Sequence, residues 1–589
     1  MLEAKADIDP AQPDRITLVS DFRCKDAIKA VPGAKWDTST RNWTVPLTWP
    51  ACLALRSEFG KGLTIGPALR EWAATIAAVK KYTAARHSVL TPEDDPSGVV
   101  LTLPELPGFA DLYPFQRVDA DLIGWAHSYL LMNETGAGKS RSALAGLSLL
   151  EHAVHDVFPL MIVAPKSMLI TWSRELEPFF PGKDVRIAAG TPTKIKKALE
   201  PGGDVYIIGW DTLRKYSRVS GYGSIALTAE EKQDKEIQAI GLRSIIFDEC
   251  HRAKNPSAKR TRAAWATADG CEYRIGLTGT PIQDTPEDLY GVLHLLFPSE
   301  YPTKTAFVDR YLEVDWNIWG GRDITGLHPT RAPEFLANFD TISRRLTKSV
   351  VLPFLPEKVY ETRWVTLPPK LRRIYDDMSK TMVAELETST MSAENALVKA
   401  GRLVQLANAS GEVDDDGTFH MEAPSPKVDA FMEDVIAGDY DGQQVVVFSD
   451  SKELIKVLAE EMSKPKPPLD FVVITGDVTG DDRQAAMDTF QEGKADFCLL
   501  TRAGGEGITL TAASTMVRLM RPWSLTVHKQ VEDRVHRIGS ERHDNVTYVD
   551  YVTEDTIELG QIVRLNAKEG RAQEVLRDDE LLRMIKEGK

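Results

Sequence analysis

The chain has 589 residues, of which 43% are hydrophobic and 27% are charged. A composition of this kind is ordinarily globular, and the length corresponds to roughly three or four domains with a core each. The net charge of −15 argues against a protein that is basic over its whole surface, although a narrow basic track for nucleic acid is compatible with it.

The cysteines and the N-terminus indicate the compartment. The five cysteines are scattered without metal-ligand spacing, so neither a zinc site nor a disulfide framework is expected. Residues 1–15 are acidic and lack an apolar core, which argues against a signal peptide. No apolar run approaches the length of a membrane span. We therefore expect a soluble protein with no membrane partner, either in the cytoplasm of a prokaryotic or viral host cell or otherwise intracellular.

The first part of the chain, residues 1–98, is predicted to be a separate small α+β module. Its end, "TPEDDPSG", has the proline, aspartate and glycine content of a linker. Within it, "VPGAKWDTSTRNWTVPL" predicts a hairpin. Its tryptophans either stack on bases while basic side chains hold phosphates, or belong to the core of the module. The candidate DNA-binding residues are Lys35, Trp36, Arg41 and Trp43.

The stretch "TGAGKS" has the features of a phosphate-binding loop. Gly136 and Gly138 allow successive backbone N–H groups to point inward at an anion. Lys139 would reach the outer phosphates, and Ser140 would place its hydroxyl on Mg²⁺ at the positive end of the following helix. The full P-loop pattern is not met, because Asn133 stands where its first glycine belongs. A glycine turn before an ordinary helix is the alternative.

Short apolar runs alternate with helical stretches along the rest of the chain, which predicts an α/β fold with two parallel-sheet lobes. The runs are "PLMIVAP", "VYIIGW", "SIIFDE" and "YRIGLTGT" in the first lobe, and "QVVVFSD", "FVVITGD", "FCLLTRAGG", "TMVRLM" and "VTYVDYV" in the second. Between the lobes, "PPKLRRIYDDMSKTMVAELE" has a helical period and "GEVDDDGTFHM" predicts a hairpin turned at Asp-Gly. The predicted domains are the N-terminal module (1–98), the first lobe (99–299), a helical intervening region (300–424), the second lobe (425–560) and a helical tail (561–589).

Polar residues stand where several of these runs end, which is where open parallel sheets bind ligands. Asp248 would hold Mg²⁺ through water, and Glu249 would orient and deprotonate an attacking water. The alternative is an acidic strand end that caps a helix. Upstream, the amide of Gln116 in "LYPFQ" offers a donor and an acceptor to adenine, or is an ordinary surface side chain.

In the second half, "VHKQVEDRVHRIGS" places Gln530, Arg534 and Arg537 at helical spacing. The guanidinium groups of Arg534 and Arg537 are candidate arginine fingers for a γ-phosphate. A solvated basic helix face is the alternative.

A series of motifs resembles the Swi/Snf-like branch of the superfamily-two helicases, in the family's order and over about residues 111–556. The motifs are "LYPFQ", "ETGAGKS", "IVAPKSMLITW", "DECHRAKN", "LTGTPIQD", "VVVFSD", "TRAGGEGITLTAA" and "QVEDRVHRIG". The resemblance implies two RecA-like lobes that close over ATP and Mg²⁺ and track duplex DNA. It also implies that "TGAGKS" is a phosphate cradle.

The resemblance implies roles for single residues as well. Gln116 would read adenine, and Gln530 would contribute to nucleotide binding beside the two arginine fingers. The residues that would link the nucleotide to DNA contacts are His251, Thr278 and Thr280. Those that would bring the second-lobe backbone close to nucleotide and phosphodiester are Gly504, Gly505 and Gly507. Trp172 matches the tryptophan that commonly follows the "PKSML" segment, and core packing explains it equally well.

The sequence departs from the family pattern at four positions. The family usually has aspartate where Asn133 stands, glutamine where Ser540 stands and asparagine where Thr509 stands. Glu506 places negative charge in a segment expected near DNA. These departures leave the predicted ATPase intact and put the strength of DNA binding in doubt.

The hairpin segment of the N-terminal module resembles the small HARP-like module of annealing helicases, which binds branched or single-strand-bearing DNA. The expected protein is therefore a monomeric DNA-stimulated ATPase that translocates on duplex or forked DNA in repair or replication, remodelling forks or reannealing strands. The rivals are the motor of a restriction, defence or recombination assembly and a catalytically idle scaffold. An accessory nuclease or single-strand-binding protein is a candidate partner.

Overall fold

A computed structural model describes residues 2–95, 97–154, 156–283, 285–316, 322–387, 393–414, 419–478, 480–505 and 508–576. The chain divides into two compact units. The first is Met1–Val351 together with Arg571–Lys589, and the second is Leu352–Gly570. In the part of the chain described here, no helix is both long enough and apolar enough to cross a membrane.

The first unit begins with a small mixed module. Its elements are β1 (Ala4–Asp9), β2 (Gln12–Ser20), α1 (Lys25–Lys29), β3 (Lys35–Asp37), β4 (Asn42–Pro46), α2 (Trp49–Phe59), β5 (Leu63–Ile65) and α3 (Pro67–Arg86). The sheet has the order β3-β4-β2-β1-β5, and its β1–β5 pair is parallel while the others are antiparallel. Alternate residues Ile16 and Leu18 of β2 face a core that includes Phe59 of α2. This confirms the predicted α+β module.

The rest of the first unit is built around a parallel sheet. Its elements are α4 (Pro114–Ala126), β6 (Ser128–Leu131), α5 (Lys139–Val154), β7 (Leu160–Ala164), α6 (Leu169–Leu176), β8 (Val185–Ala188), α7 (Pro192–Ala198), β9 (Val205–Gly209), α8 (Trp210–Tyr216), α9 (Ala229–Lys232), β10 (Ser244–Asp248), α10 (Lys259–Ala268), β11 (Tyr273–Leu277), α11 (Leu289–Leu296), α12 (Lys304–Tyr311), β12 (Leu312–Trp316), β13 (Arg322–Leu327), α13 (Ala332–Ile342), β14 (Ser343–Arg344) and α14 (Lys348–Val351). The seven-stranded sheet has the order β14-β6-β11-β10-β7-β9-β8, and every pair in it is parallel. β12 and β13 form a separate antiparallel pair.

The central strands of this sheet are buried on both faces. Along β10, Ile245 and Phe247 join one hydrophobic cluster, and Ile246 joins the other. A parallel sheet covered by helices on both sides favours apolar residues along its strands, so its central strands appear in the sequence as near-continuous apolar runs. The predicted first α/β lobe is confirmed. Its candidate site residues Asp248 and Thr278 lie at the carboxyl ends of β10 and β11.

A buried arginine of α12 joins the N-terminal module to the first lobe. Arg310 donates through Nη1 to the carbonyl oxygen of Ala30 at 3.0 Å and to Glu58 at 3.2 Å, both in the module. Its Nε and Nη2 donate to Glu334 of α13 at 2.9 and 2.7 Å. Glu58 also pairs with Arg331 at 2.9 Å. These bonds satisfy the buried guanidinium and fix the module on α12 and α13.

The second unit has its own parallel sheet. Its elements are β15 (Glu357–Val365), α15 (Pro369–Glu387), α16 (Ala393–Asn408), β16 (Ser410–Val413), β17 (Phe419–Glu422), α17 (Pro426–Ala437), β18 (Val445–Ser449), α18 (Lys452–Met462), β19 (Phe471–Ile474), α19 (Gly480–Gln491), β20 (Phe497–Thr501), α20 (Arg502–Gly505), β21 (Thr515–Met520), α21 (Leu525–Glu532), β22 (Asn545–Thr553) and α22 (Ile557–Leu576). The six-stranded sheet has the order β15-β22-β21-β18-β20-β19, with every pair parallel. The second predicted lobe is confirmed.

The intervening region, 300–424, is divided between the two units. Its N-terminal part supplies α12 to α14, and β14 joins the first sheet at its edge. Its C-terminal part supplies β15, which joins the second sheet, and the predicted long helix, α15. The predicted hairpin is present as the antiparallel pair β16–β17, while its Asp-Gly turn lies outside the described residues.

Candidate active site

The phosphate-binding loop connects β6 to α5. Its glycines Gly136 and Gly138 have φ angles of +88° and +74°, in the left-handed region that favours glycine. A Cβ atom on Gly138 would lie 2.3 Å from Nε2 of Gln116, so no other residue fits there without displacing that amide. α5 then begins at Lys139, as predicted.

Lys139 lies over the loop that precedes it. Its Nζ donates to the main-chain oxygens of Asn133 at 2.7 Å and Glu134 at 3.2 Å. The segment after β11 approaches the same ammonium, because a Cβ atom on Gly279 would lie 3.5 Å from Nζ and 2.5 Å from Oγ1 of Thr135. The "TGT" segment therefore packs directly against the phosphate-binding loop.

Gln116 is buried at the start of α4 and braces the loop. Its Oε1 accepts from the backbone N–H of Tyr113 at 2.9 Å, and its Nε2 donates to the carbonyl oxygen of Ala137 at 3.1 Å. Both ends of the amide are thus held by the chain itself. Its predicted recognition of adenine remains a prediction.

The acidic pair ends β10 beside this loop. Asp248 accepts through Oδ2 from the indole N–H of Trp172 at 2.9 Å and through Oδ1 from the backbone N–H of Glu249 at 3.0 Å. The main-chain oxygen of Asp248 accepts from the indole of Trp210 at 2.8 Å. Glu249 has a φ of +51°, a left-handed conformation that is costly for a residue with a side chain and that occurs at functional sites.

The two carboxyl groups titrate in opposite directions. Burial, together with the neighbouring charge of Glu249, raises the pKa of Asp248 to about 7. Burial also pushes the pKa of Glu249 upward, but the hydrogen bond and charge of His251 and the charge of Lys139 outweigh it and hold the Glu249 pKa below its usual value. Glu249 is therefore the carboxyl group of the pair that is ionised at neutral pH.

His251 connects the acidic pair to the "TGT" segment. Its Nδ1 lies 3.2 Å from Oε2 of Glu249 and 2.9 Å from Oγ1 of Thr278, so a proton on Nδ1 is shared between the two oxygens. The backbone N–H of Thr280 donates to the same Thr278 oxygen at 3.1 Å. Among the residues that are described, the buried hydroxyl of Thr280 has no hydrogen-bond partner. The first unit thus brings together the predicted phosphate, acid and coupling residues.

The second unit carries the predicted arginines, but not on one helix. α21 ends at Glu532, so Gln530 lies on the helix while Arg534 and Arg537 lie in the turns that follow it. The expected helical spacing is therefore wrong. Arg534 is buried, and its Nη1 lies 3.4 Å from the carbonyl oxygen of Ile508.

Tertiary hydrogen bonds are made by carbonyl oxygens at and just after the end of α21. The carbonyl oxygen of Glu532 accepts from the hydroxyl of Tyr548 at 3.1 Å, and that of Arg534 accepts from the backbone N–H of Leu510 at 2.9 Å. The carbonyl of Arg534 is thus engaged by a neighbouring segment, whereas that of Glu532 also accepts from the backbone N–H of His536 at 3.2 Å.

The glycine segment after β20 has a close approach that requires glycine. A Cβ atom on Gly504 would lie 1.9 Å from the carbonyl oxygen of Ile474. Gly505 is the last residue of α20. Glu506 and Gly507 lie outside the described residues.

The two tryptophans in the hairpin of the N-terminal module differ in burial. Trp36 and Trp43 are cross-strand partners whose ring centroids are 5.4 Å apart in an edge-to-face arrangement. Trp43 is partly buried against the core of the module, whereas Trp36 is 49% exposed. Lys35 and Arg41 are exposed. The core interpretation therefore applies to Trp43, and Trp36 is the ring available for stacking.

Two family patterns match the chain. That of the SNF2-related domain matches residues 68–411, and that of the helicase conserved C-terminal domain matches residues 427–539. The first match alone covers more than half of the chain. The chain belongs to the SNF2-related family. The resemblance seen in the motifs is thereby confirmed.

The SNF2-related chain has relatives of several kinds. The mouse protein named DNA annealing helicase and endonuclease ZRANB3 is 26% identical over 454 residues, which are 74% of this chain and 38% of that protein. Arabidopsis thaliana CHROMATIN REMODELING 5 is 24% identical over 459 residues, 74% of this chain and 25% of that protein. The Mycoplasma genitalium protein named uncharacterized ATP-dependent helicase MG018 is 24% identical over 453 residues, 76% and 40% of the two chains. The chain thus spans between 25% and 40% of the length of these relatives.

A solved structure is similar as well. The Sulfolobus solfataricus SWI2/SNF2 ATPase core in complex with dsDNA has 21% sequence identity, and the match covers 82% of this chain and 98% of that one with a TM-score of 0.38.

Two of the residues that depart from the SNF2 pattern form hydrogen bonds in the structure. Asn133 is buried, and its Nδ2 donates to Asp119 of α4 at 2.8 Å. Ser540 is also buried, and its hydroxyl donates to the carbonyl oxygen of Arg537 at 2.8 Å. Thr509 is half-buried next to Ile508.

The sequence did not predict the buried polar residues that pack behind the phosphate-binding loop. Asp119 lies between apolar residues on the buried face of α4, and Arg344 is one of the two residues of the short strand β14. Their 2.7 Å ion pair is fully buried. The only signal in the sequence is a carboxylate in an apolar helical stripe, which does not reveal its distant partner.

Proposed function

We propose that the chain is an ATP-driven DNA translocase whose hydrolysis is stimulated by duplex or forked DNA, and that it remodels forks or reanneals strands. The observation that carries this proposal is the convergence of Lys139, Glu249 and Thr278 around the loop between β6 and α5. Membership of the SNF2-related family supports the same assignment.

The loop would bind the phosphates of ATP. Gly136 and Gly138 hold the backbone in the left-handed conformation that turns N–H groups toward an anion, and the start of α5 adds a positive helix end. Lys139 would transfer its hydrogen bonds from the loop carbonyls to phosphate oxygens.

The oxygen donors beside this loop fit Mg²⁺, which prefers carboxylate, hydroxyl and water ligands. Asp248 and Ser140 would hold the ion. When bound, it would neutralise charge on the phosphates during hydrolysis. Glu249 would orient the attacking water and accept its proton, because its ionised form is favoured by His251 and Lys139. The second unit would contribute Arg534 and Arg537 to the phosphate, with Gln530 nearby, as the family resemblance implies.

The preference for forked DNA rests on the N-terminal module. The exposed ring of Trp36 and the exposed cations Lys35 and Arg41 lie on one hairpin, a combination that suits stacking on unpaired bases and contact with phosphates. The mouse relative is named as an annealing helicase, which agrees with this expectation.

The first test is ATP hydrolysis by the full chain with duplex, forked, single-stranded and no DNA. Lys139→Ala should weaken nucleotide binding and abolish turnover. Glu249→Gln should bind ATP but lower the rate by about 10²-fold or more, since a positioned charge is lost. Lys232→Ala, which removes an exposed lysine of α9, is the control and should behave as the unaltered chain.

Four results would count against the proposal. Normal turnover by Glu249→Gln would identify another residue as the base. An ATP hydrolysis rate that is the same with every DNA and without DNA would contradict a DNA translocase. Absence of ATP hydrolysis would favour the catalytically idle scaffold. A nuclease that co-purifies with an active chain would favour the motor of a restriction or defence assembly.

A further inference from the structure

Two tryptophans hold the end of β10 from opposite faces of the first sheet. Trp172 of α6 packs in the hydrophobic cluster that contains Ile246, and Trp210 of α8 packs in the cluster that contains Phe247. Both indole N–H groups point to Asp248, at 2.9 Å to its Oδ2 and at 2.8 Å to its main-chain oxygen. The strand end is thereby fixed in its backbone and in its side chain separately.

The bond from Trp172 differs from those of comparable buried tryptophans. A buried indole needs an acceptor, and a main-chain carbonyl is sufficient. Trp210 uses the carbonyl of Asp248, and Trp265 uses that of Gly291 at 3.2 Å. Trp172 instead donates to the carboxylate, so its bond acts on the part of Asp248 that is free to rotate.

The donors leave the carboxylate oriented and still able to bind. Oδ1 accepts from the backbone N–H of Glu249 at 3.0 Å, and Oδ2 accepts from Trp172. Two donors in fixed positions define the plane of the carboxyl group. Each ionised oxygen accepts about two hydrogen bonds, so each keeps capacity for a metal-bound water.

We infer that Trp172 is a positioning residue for Mg²⁺, which acts by orienting the carboxylate of Asp248. This inference rests on the proposed function, in which Asp248 holds the ion. Outer partners of metal-ligating carboxylates fix ligand geometry, and their loss typically weakens metal affinity by about 10- to 100-fold. Core packing alone would require the ring of Trp172 but not its N–H group.

The test removes the N–H group and keeps an aromatic ring. In the full chain, binding of a fluorescent ADP analogue is titrated with Mg²⁺, and the half-saturating Mg²⁺ concentration is the readout. Trp172→Phe should raise it by about 10-fold or more, while nucleotide binding at saturating Mg²⁺ persists. Trp265→Phe loses an equivalent indole bond to a carbonyl and is the matched control, which should leave the Mg²⁺ dependence unchanged.

Asp248→Asn separates the inference from the proposal on which it rests. If Asp248→Asn leaves the Mg²⁺ dependence unchanged, Asp248 does not hold the ion and the proposed site fails. If Asp248→Asn shifts it and Trp172→Phe does not, only the role of Trp172 is overturned. An equal shift in Trp265→Phe would also overturn that role, because it would reflect general loosening of the lobe.

If circular dichroism shows that Trp172→Phe is not folded, a measurement on the unaltered chain tests the inference instead. With ¹⁵N-labelled tryptophan and bound ADP, saturating Mg²⁺ should shift an indole N–H resonance that does not respond in Asp248→Asn. The absence of such a resonance would overturn the inference.

Discussion

At the scale of single residues, Asn133 shows how the chain accommodates a departure from the family pattern. Its Nδ2 donates to Oδ2 of Asp119, and the hydroxyl of Ser142 donates to the same oxygen at 3.0 Å. Arg344 donates to the other oxygen of Asp119 at 2.7 Å. Burial raises the pKa of Asp119, and these donors oppose that rise. The buried carboxylate therefore depends on donors behind the phosphate-binding loop.

Restoring the family's aspartate at this position should be unfavourable. Asn133→Asp replaces a donor by a second carboxylate about 2.8 Å from Asp119. We expect the free energy of unfolding to fall by about 1–3 kcal/mol at neutral pH, because a hydrogen bond is lost and two like charges meet. A shared proton relieves the repulsion, so the loss should shrink from about pH 8 to about pH 5. Urea unfolding across this range measures it.

A charge exchange distinguishes this pair from general damage. Asn133→Asp combined with Asp119→Asn keeps one amide and one carboxylate, with the amide oxygen facing Arg344, and should recover part of the stability. Asn255→Asp changes an exposed asparagine and should have no effect. A double variant no more stable than Asn133→Asp would contradict the pairing.

At the scale of elements, the sequence predicts those helices and strands whose burial produces a recognisable pattern of residues. The strand β10 contains the unbroken apolar run 245–247 because both faces of the sheet are covered, and β18 contains the run 445–448 for the same reason. Asp248 and Thr278 follow strand ends, so their meeting could be expected from a parallel sheet alone. Gly136 and Gly138 could be expected in a phosphate-binding loop because they adopt positive φ angles.

The elements that the sequence did not predict have no such residue pattern. β15 lies at the edge of its sheet with Tyr360 and Trp364 each 56% exposed, so no apolar run predicts it. β14 is only two residues long. Just after the end of α21, the carbonyl of Arg534 accepts from the backbone N–H of Leu510, which lies on a different segment of the chain. These features depend on tertiary partners that local periodicity does not contain.

The hairpin β3–β4 offers a prediction at the same scale, because its paired tryptophans differ in burial. Trp43→Ala should destabilise the module by about 3 kcal/mol or more, since a partly buried ring leaves its core. Trp36→Ala should leave the melting temperature nearly unchanged and weaken binding to forked DNA by about 1–3 kcal/mol, the value of one stacked base. Thermal unfolding and a fork-binding titration measure the two effects.

Phe22→Ala serves as the control, because Phe22 is an exposed aromatic residue of the same module that lies outside the hairpin. It should change neither measurement. Equal loss of fork binding in Phe22→Ala and Trp36→Ala would assign the effect to general surface hydrophobicity. Unchanged fork binding by Trp36→Ala would show that the hairpin does not take part in DNA recognition.

At the scale of the whole molecule, the candidate groups are distributed over two compact units. The first unit contains the phosphate-binding loop and the acidic pair, and it also carries the N-terminal module through Arg310. The second contains the proposed arginine fingers. A chain that ends at Val351 keeps the complete first sheet, including β14, and should fold and bind ATP.

This distribution predicts that binding and hydrolysis separate. The chain that ends at Val351 should bind ATP with nearly full affinity and scarcely hydrolyse it. In the full chain, Arg537→Ala should lower the rate by about 10²-fold or more while ATP affinity is nearly kept, because a finger contacts charge that develops during the reaction. Arg537→Lys should recover little, since an ammonium lacks the planar fork of guanidinium. Arg373→Ala, an exposed arginine of α15, is the control. Full hydrolysis by the first unit alone, or by Arg537→Ala, would contradict a mechanism that requires both units.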